Sequence, residues 1–282
     1  MPKRQVQEAA LSGCHVQDPV VYRLACGGRL RLRAVVFPGE PFDLLPDEIP
    51  AGLLGPAEAS GRLRRLAANR RRRASAWVVG SAPGHPARNA VVPWKRGQPD
   101  APYGPHSEIN AAGSSVLVID YRGYGKSEGR PGEKGLYADA DAAYGFLTGK
   151  GYRPEQIILH GESLGTAVAV DLGARRPCGG VVLEAPFTSA REVAARALPV
   201  LGPLLTWGLD SKRKIASIRA PVLIIHGTRD EMIPFELGQA LWAAAHEPKW
   251  FWAVQGSGHN DILESAGAEY RERLAAFYAV LP

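Results

Sequence analysis

Beyond Ser114 the chain alternates short, almost wholly apolar runs with stretches of helical periodicity, and no other feature limits its possible folds as much. The runs are Val116 to Asp120, Gln156 to His160, Gly180 to Glu184, Val222 to His226 and Trp250 to Val254. A strand that is polar on one face alternates, whereas one covered on both faces reads as continuous apolar sequence. Between the runs, Leu136, Ala140, Ala143, Tyr144 and Leu147 recur at helical spacing before Gly149 and Gly151 end the pattern, and Tyr270, Leu274, Phe277 and Tyr278 mark a last helix. Strand, helix and strand in turn predict an α/β fold: a mostly parallel central sheet with helices on both faces. A chain of 282 residues can bury one large core as a single domain. Residues 191–220 separate two strands by more than the usual connection, so we read a small cap segment at about 190–220.

The net charge of +6 raises the question of an acidic partner, and its distribution answers it. Ten basic residues, Arg70 to Arg73 among them, and three acidic ones lie between Glu58 and Glu108, so this stretch carries +7 and the rest of the chain −1. The basic balance belongs to one segment, and nucleic acid is not an expected partner. Cys14, Cys26 and Cys178 are far apart and unpaired in spacing, which predicts free thiols rather than a disulfide framework or a metal-ligand set. No apolar run approaches the roughly 20 residues that span a bilayer, and Met1 to Asp18 lacks the apolar stretch of a signal peptide. The expectation is a cytoplasmic protein without metal or organic cofactor.

The chemistry is concentrated where the runs end. Gly161-Glu162-Ser163-Leu164-Gly165 follows one strand run and opens the helical stretch Thr166 to Arg175. The pentapeptide is common by chance; its position between strand and helix is what makes it informative. A serine on so sharp a turn needs small neighbours, and the turn aims the Leu164 backbone N–H and the positive end of the helix dipole at an oxyanion. A serine hydroxyl also needs an imidazole to take its proton and a carboxylate to hold that imidazole's tautomer. His226-Gly227-Thr228-Arg229-Asp230 leaves a strand run 67 residues after Ser163, and Gly256-Ser257-Gly258-His259 leaves the next one, 29 residues further on. All three residues should project from the C-terminal edge of one sheet, where open α/β sheets bind ligands. Ser163 is therefore the candidate nucleophile, His259 the general base and Asp230 the orienting acid. Glu231 and Asp261 are alternative acids, and Asp230 could instead cap a helix. His160 and His226 lie within strand runs and read as buried, hydrogen-bonded core residues.

Val118-Ile119-Asp120-Tyr121-Arg122-Gly123-Tyr124-Gly125-Lys126-Ser127, Gly161 to Gly165, Glu184-Ala185-Pro186-Phe187-Thr188-Ser189, His226 to Asp230 and Gly258-His259-Asn260 together resemble the Bem46-type branch of the α/β-hydrolase serine hydrolases. The resemblance covers about Ala111 to Pro282. It implies an α/β-hydrolase core at 111–282, and hydrolysis of carboxylic esters or thioesters through an acyl-serine. It also implies small acyl esters or thioesters as substrates, with acylated proteins among those of some relatives. The family's serine, aspartate and histidine fall on Ser163, Asp230 and His259. The apolar positions from Ala194 to Leu209 would suit an apolar acyl pocket or packing against the sheet.

Residues 1–110 depart from the family and read as an atypical, irregular N-terminal region. A loop of the His-Gly-Asn type, which in the family supplies the second oxyanion donor, is not recognisable, and Gly61 to Glu108 contains no convincing buried strand. One account is a lineage-specific or disordered insertion. Another is a displaced reading frame across about residues 60–108. One base forward, the codons of Val92 to Pro99 force a glycine at Trp94-Lys95 and permit His-Gly-Asn-Ala-Gly-Asn. The same step through Ala76 to Gly80 forces a glycine at Trp77-Val78 and permits His-Gly-Trp-Trp, which resembles the family's preceding strand. A chain lacking that loop could also be a catalytically impaired member of the fold that serves as an interaction module.

Overall fold

The computed structural model describes residues 20–26, 30–37, 75–79, 105–124, 127–197 and 208–282, the first three strands by their backbone alone. Eight strands form one sheet: β1 (Val20–Cys26), β2 (Leu30–Phe37), β3 (Ser75–Val79), β4 (Val116–Asp120), β5 (Ile158–Glu162), β6 (Gly180–Glu184), β7 (Val222–Gly227) and β8 (Lys249–Val254). Their order is β1-β2-β4-β3-β5-β6-β7-β8. Strands β5 to β8 pair in parallel, and β4 runs in the same direction because both it and β5 are antiparallel to β3.

The helices are α1 (Pro105–Ala111), α2 (Glu133–Gly149), α3 (Leu164–Arg175), α4 (Ala190–Ala197), α5 (Ser211–Ile215), α6 (Phe235–Ala244), α7 (Ile262–Ala266) and α8 (Ala268–Ala279). Side chains alternate across each strand, and the contacts show which helix covers which face. Leu159 of β5 and Val181 of β6 lie against Gly173 of α3, whereas Gly180 of β6 lies beneath Phe277 of α8 and Leu281. Helices α3 and α8 therefore cover opposite faces, as two-sided apolar runs require. Ile158, Leu159, Val181, Val182, Leu183, Ile224 and Ile225 are fully buried. Each contributes about 1.5–3 kcal/mol of transfer free energy, so the centre of the sheet is a rigid base for whatever its C-terminal edge carries.

The strand expected at Gln156 to His160 starts two residues later, because Pro154–Gln156 forms a turn of 3-10 helix, and it runs on to Glu162. Helix α3 begins at Leu164 rather than Thr166. The N-terminal third is not irregular throughout. Strands β1 and β2 pair antiparallel from Val20↔Val36 to Cys26↔Leu30, and β2 pairs antiparallel with β4. The signal lay in two β-rich runs separated by Gly27-Gly28-Arg29, a spacing that favours a hairpin.

A strand is also present where none was expected: Ser75–Val79 fills the place between β4 and β5. Its register sets Ser75 opposite Asp120 and Val79 opposite Ile158. The chain thus leaves β3 about five strand residues, roughly 16 Å, from the sheet edge that carries Ser163. Residues 80–104, where the frame displacement would restore a His-Gly-Asn loop, lie outside the described residues.

Of the segment at 190–220, residues 198–207 likewise lie outside the described ones. Its end belongs to the main core: Ile215 and Ile218 are buried, and Ile218 lies against Gly173. Lys214 Nζ on α5 donates to Asp171 Oδ1 on α3 (2.8 Å) and to the Tyr137 hydroxyl on α2 (2.9 Å), and the Leu209 N–H donates to Glu133 Oε1 (3.0 Å). Among the described residues no helix is long and apolar enough to cross a membrane.

Candidate active site

The C-terminal ends of β5, β7 and β8 bring Ser163, Asp230 and His259 together. Ser163 links β5 to α3 with φ 52° and ψ −118°, a conformation that costs a residue with a side chain roughly 1–3 kcal/mol. Its N–H donates to the Glu184 carbonyl at 2.9 Å, which ties the turn to the neighbouring strand. Leu164 is the first helical residue, so its N–H has no acceptor within α3 and stands at the positive end of the helix dipole.

Gly161 is required for steric reasons. A Cβ there would lie 2.5 Å from the Gly165 carbonyl oxygen and 2.7 Å from Thr166 Cα, both main-chain atoms that cannot swing aside. Gly161→Ala is expected to destabilise the fold by about 1–3 kcal/mol, the usual cost of overpacking, read as a lower urea midpoint with unchanged m-value. An unshifted midpoint would contradict this packing.

The acid and the histidine are held by one another's loops. Asp230 Oδ2 faces His259 Nδ1 at 2.7 Å, and His259 Nε2 faces Ser163 Oγ at 3.0 Å. The other carboxylate oxygen, Asp230 Oδ1, accepts the N–H groups of Met232 (2.9 Å) and Ile233 (2.8 Å). The side chains of Asp230 and His259 are almost completely enclosed. Burial alone would raise the Asp230 carboxyl; hydrogen bonds with His226, His259 and the Ile233 N–H outweigh it and hold the group well below the usual carboxylate range. The carboxylate is therefore ionised at neutral pH and accepts from Nδ1–H, which leaves Nε2 free to accept the serine proton.

The alternative acids have other positions. Glu231 is exposed, and Asp261 accepts the Ser257 hydroxyl at 3.1 Å. Ser257 also ties the two loops together, since its carbonyl accepts the Arg229 N–H at 2.8 Å. His226 is fully buried, donates through Nε2 to the Ile233 carbonyl at 3.0 Å and lies 3.4 Å from Asp230 Oδ2, so it braces the acid's turn. His160 is also fully buried and meets Glu184. From sequence Glu184 reads only as part of a strand run and a family motif and Tyr270 only as a position of the last helix, although a glutamate closing an apolar strand run is itself a signal of a buried partner.

A second apolar cluster, Ala167, Phe187, Ile233 and Leu237 with Val193 and Leu209 against it, joins the first turn of α3, the acid's turn and α4. Its member Ala167 lies one helical turn from Ser163, and Ala167, Phe187, Ile233 and Leu237 are all buried. Burial pushes the Cys178 thiol up to about 12, so it is not a thiolate nucleophile at neutral pH. Among the described residues no cluster of three or more His, Cys, Asp or Glu side chains could hold a metal ion.

The sheet order, the strained serine turn after β5 and the Ser–His–Asp arrangement along one edge are those of the α/β-hydrolase fold, which the chain adopts. The serine aminopeptidase (S33) family of hydrolases matches residues 106–211. An uncharacterised protein of Mycobacterium tuberculosis is 50% identical over 157 residues, 54% of this chain and 56% of that protein. The α/β-hydrolase domain-containing protein 17B of Xenopus laevis is 44% identical over 178 residues, 61% of this chain and 58% of that protein. The chain thus spans a little over half the length of these relatives. Among solved structures, an esterase of Pyrococcus furiosus superposes with a TM-score of 0.64 at 15% identity, covering 94% of this chain and 91% of that one. A monoacylglycerol lipase of Paleococcus ferrophilus gives 0.51 at 22% identity, covering 65% of this chain and 91% of that one. At such identities the likeness is one of fold.

Proposed function

We propose that this protein is a serine hydrolase that cleaves carboxylic esters or thioesters through an acyl-Ser163 intermediate. The observation that carries the reading is the unbroken hydrogen-bonded line from Asp230 Oδ2 through the His259 ring to Ser163 Oγ, with spans of 2.7 and 3.0 Å. In this mechanism Ser163 Oγ attacks the acyl carbonyl carbon while His259 Nε2 takes the hydroxyl proton, and the carbonyl oxygen becomes an oxyanion facing the Leu164 N–H. The intermediate collapses as the bond to the leaving oxygen or sulfur breaks, and His259 returns the proton to that atom. Water, deprotonated by the same imidazole, then attacks the acyl-enzyme and frees the acid and Ser163. Asp230 stays ionised throughout and stabilises the imidazolium. The buried apolar cluster of Ala167, Phe187 and Ile233, beside the serine turn, supports an apolar acyl group. Small acyl esters or thioesters and acylated proteins both present such a group, and the cytoplasm would supply either.

The rival reading is an impaired hydrolase fold serving as an interaction module. What favours it is that β3 leaves the sheet at the edge away from Ser163. Loss of one oxyanion donor typically costs 10²- to 10³-fold in rate. A fluorophosphonate probe separates the readings: labelling that disappears in Ser163→Ala supports the hydrolase, and folded protein that takes no label supports the module. We further propose that the active form carries the displaced frame across about residues 60–108, a reading favoured by a family match that begins at residue 106. Peptides of the sequence Arg73 to Ile109 as it stands, recovered from native cells, would refute a sequencing error as its cause.

A further inference from the structure

A buried polar cluster unused by the proposed chemistry lies beneath the nucleophile. His160 of β5, Glu184 at the end of β6 and Tyr270 of α8 are 0%, 5% and 0% exposed. Glu184 Oε1 meets both His160 Nε2 and the Tyr270 hydroxyl. The main-chain oxygen of the same glutamate accepts the Ser163 N–H at 2.9 Å. One residue thus holds the nucleophile's backbone with its carbonyl while its carboxylate is fixed by the adjacent strand and by a helix on the far side of the sheet.

The backbone around this junction is strained on both sides. Ser163 has φ 52° and Ala185 φ 47°, and neither is glycine. Such residues persist only where their surroundings over-determine them. The Ala185 N–H donates to the Ile225 carbonyl at 2.8 Å, so Glu184 lies between one hydrogen bond to the nucleophile's turn and another to β7. A carboxylate in an otherwise apolar strand carries a desolvation cost that an apolar side chain would avoid. Packing alone gives no reason for it, whereas the need to immobilise this peptide does. Burial, and then the facing Glu184 carboxylate, push the Tyr270 hydroxyl well above its ordinary value, so it remains a donor. His160 Nδ1 is buried without a hydrogen-bond partner among the described residues, so the ring is oriented through its bond to Glu184.

We propose that His160, Glu184 and Tyr270 form a positioning clamp that holds the Ser163 main chain in its strained conformation and keeps the hydroxyl in line with His259. Its kinetic consequence rests on the serine-hydrolase reading; its structural consequence does not. Both are testable on the full chain with Tyr270→Phe and His160→Leu, each removing one anchor of the carboxylate. Phe277→Leu serves as control, since Phe277 packs at the opposite end of β6, over Gly180. On a p-nitrophenyl ester, kcat should fall about 10- to 100-fold in either clamp variant with KM within twofold, because misplacing a reacting group by a fraction of its contact distance acts on the chemical step. Amide hydrogen exchange at Ser163 should be at least tenfold faster than in the control. Either quantity staying within twofold of Phe277→Leu would overturn the clamp. If the parent protein hydrolyses no ester, that result counts against the hydrolase reading, and the exchange measurement alone decides the clamp.

Discussion

Ser163→Ala is expected to lower kcat/KM on a p-nitrophenyl ester by about 10⁶-fold, the scale on which removal of a hydrogen-bonded nucleophile usually acts. The size follows from the geometry. His259 Nε2 lies 3.0 Å from Ser163 Oγ, so the histidine's basicity is committed to this one hydroxyl. With the hydroxyl gone, a base that depended on it has nothing to activate for acyl transfer. His259→Ala should cost about as much, and the double variant no more than either alone, because the residues act as a unit. A double variant that loses the two single effects in full succession would indicate independent roles and contradict the relay. Background hydrolysis above that of water should survive in all three, because the Leu164 N–H, the proposed oxyanion donor, is untouched.

Asp230→Asn should cost about 10⁴-fold in kcat with little change in KM. The amide can present its NH₂ to His259 Nδ1, across the 2.7 Å now spanned by Nδ1–H and a carboxylate oxygen, and so stabilise the tautomer whose Nε2 carries the proton. An imidazole in that state cannot take one from Ser163. A variant within tenfold of the parent would assign the acid's role elsewhere, with Asp261 the next residue to replace. The substitution has a second signature. Hydrogen bonds with His226, His259 and the Ile233 N–H, against burial, depress the folded carboxyl below its unfolded value of about 3.9. The resulting stability is fully present above about pH 5 and is lost as pH falls through the depressed folded value. The parent's advantage over Asp230→Asn in urea midpoint should accordingly shrink between pH 5 and pH 3. An advantage that grew over that interval would refute the sign.

Much of this was legible along the chain because it is local. The serine turn needs a glycine at position 161 for reasons confined to five residues, and the resulting pattern can be read without knowing what surrounds it. The central strands were equally visible, since burial on two faces writes itself as uninterrupted apolar runs. The hairpin of β1 and β2 was open to the same reading, but the unusual composition that follows it drew the whole N-terminal third into one irregular region. Strand β3 was hidden for a different reason. Its five residues follow Arg70 to Arg73, and both its pairing and its direction depend on Asp120 and Ile158, which lie some 40 and 80 residues away.

The choice among acids was also beyond local pattern. Asp230, Glu231 and Asp261 are all acidic residues in loops after strands, and sequence supplies no distance between them and His259. Folding separates them: Glu231 stays at the surface, Asp261 takes the Ser257 hydroxyl, and Asp230 alone of the three takes Nδ1. Glu184 likewise gained its meaning from contacts 24 and 86 residues distant.

What the amino-acid order determined unaided was the two-sided sheet, the serine turn and the chain order of the three candidate side chains, because periodicity and steric need act over a few neighbouring residues. Which carboxylate faces the imidazole, which way β3 runs and what anchors the peptide behind Ser163 were decided only in three dimensions, because hydrogen bonds at about 3 Å join residues whose separation along the chain carries no information about their separation in space.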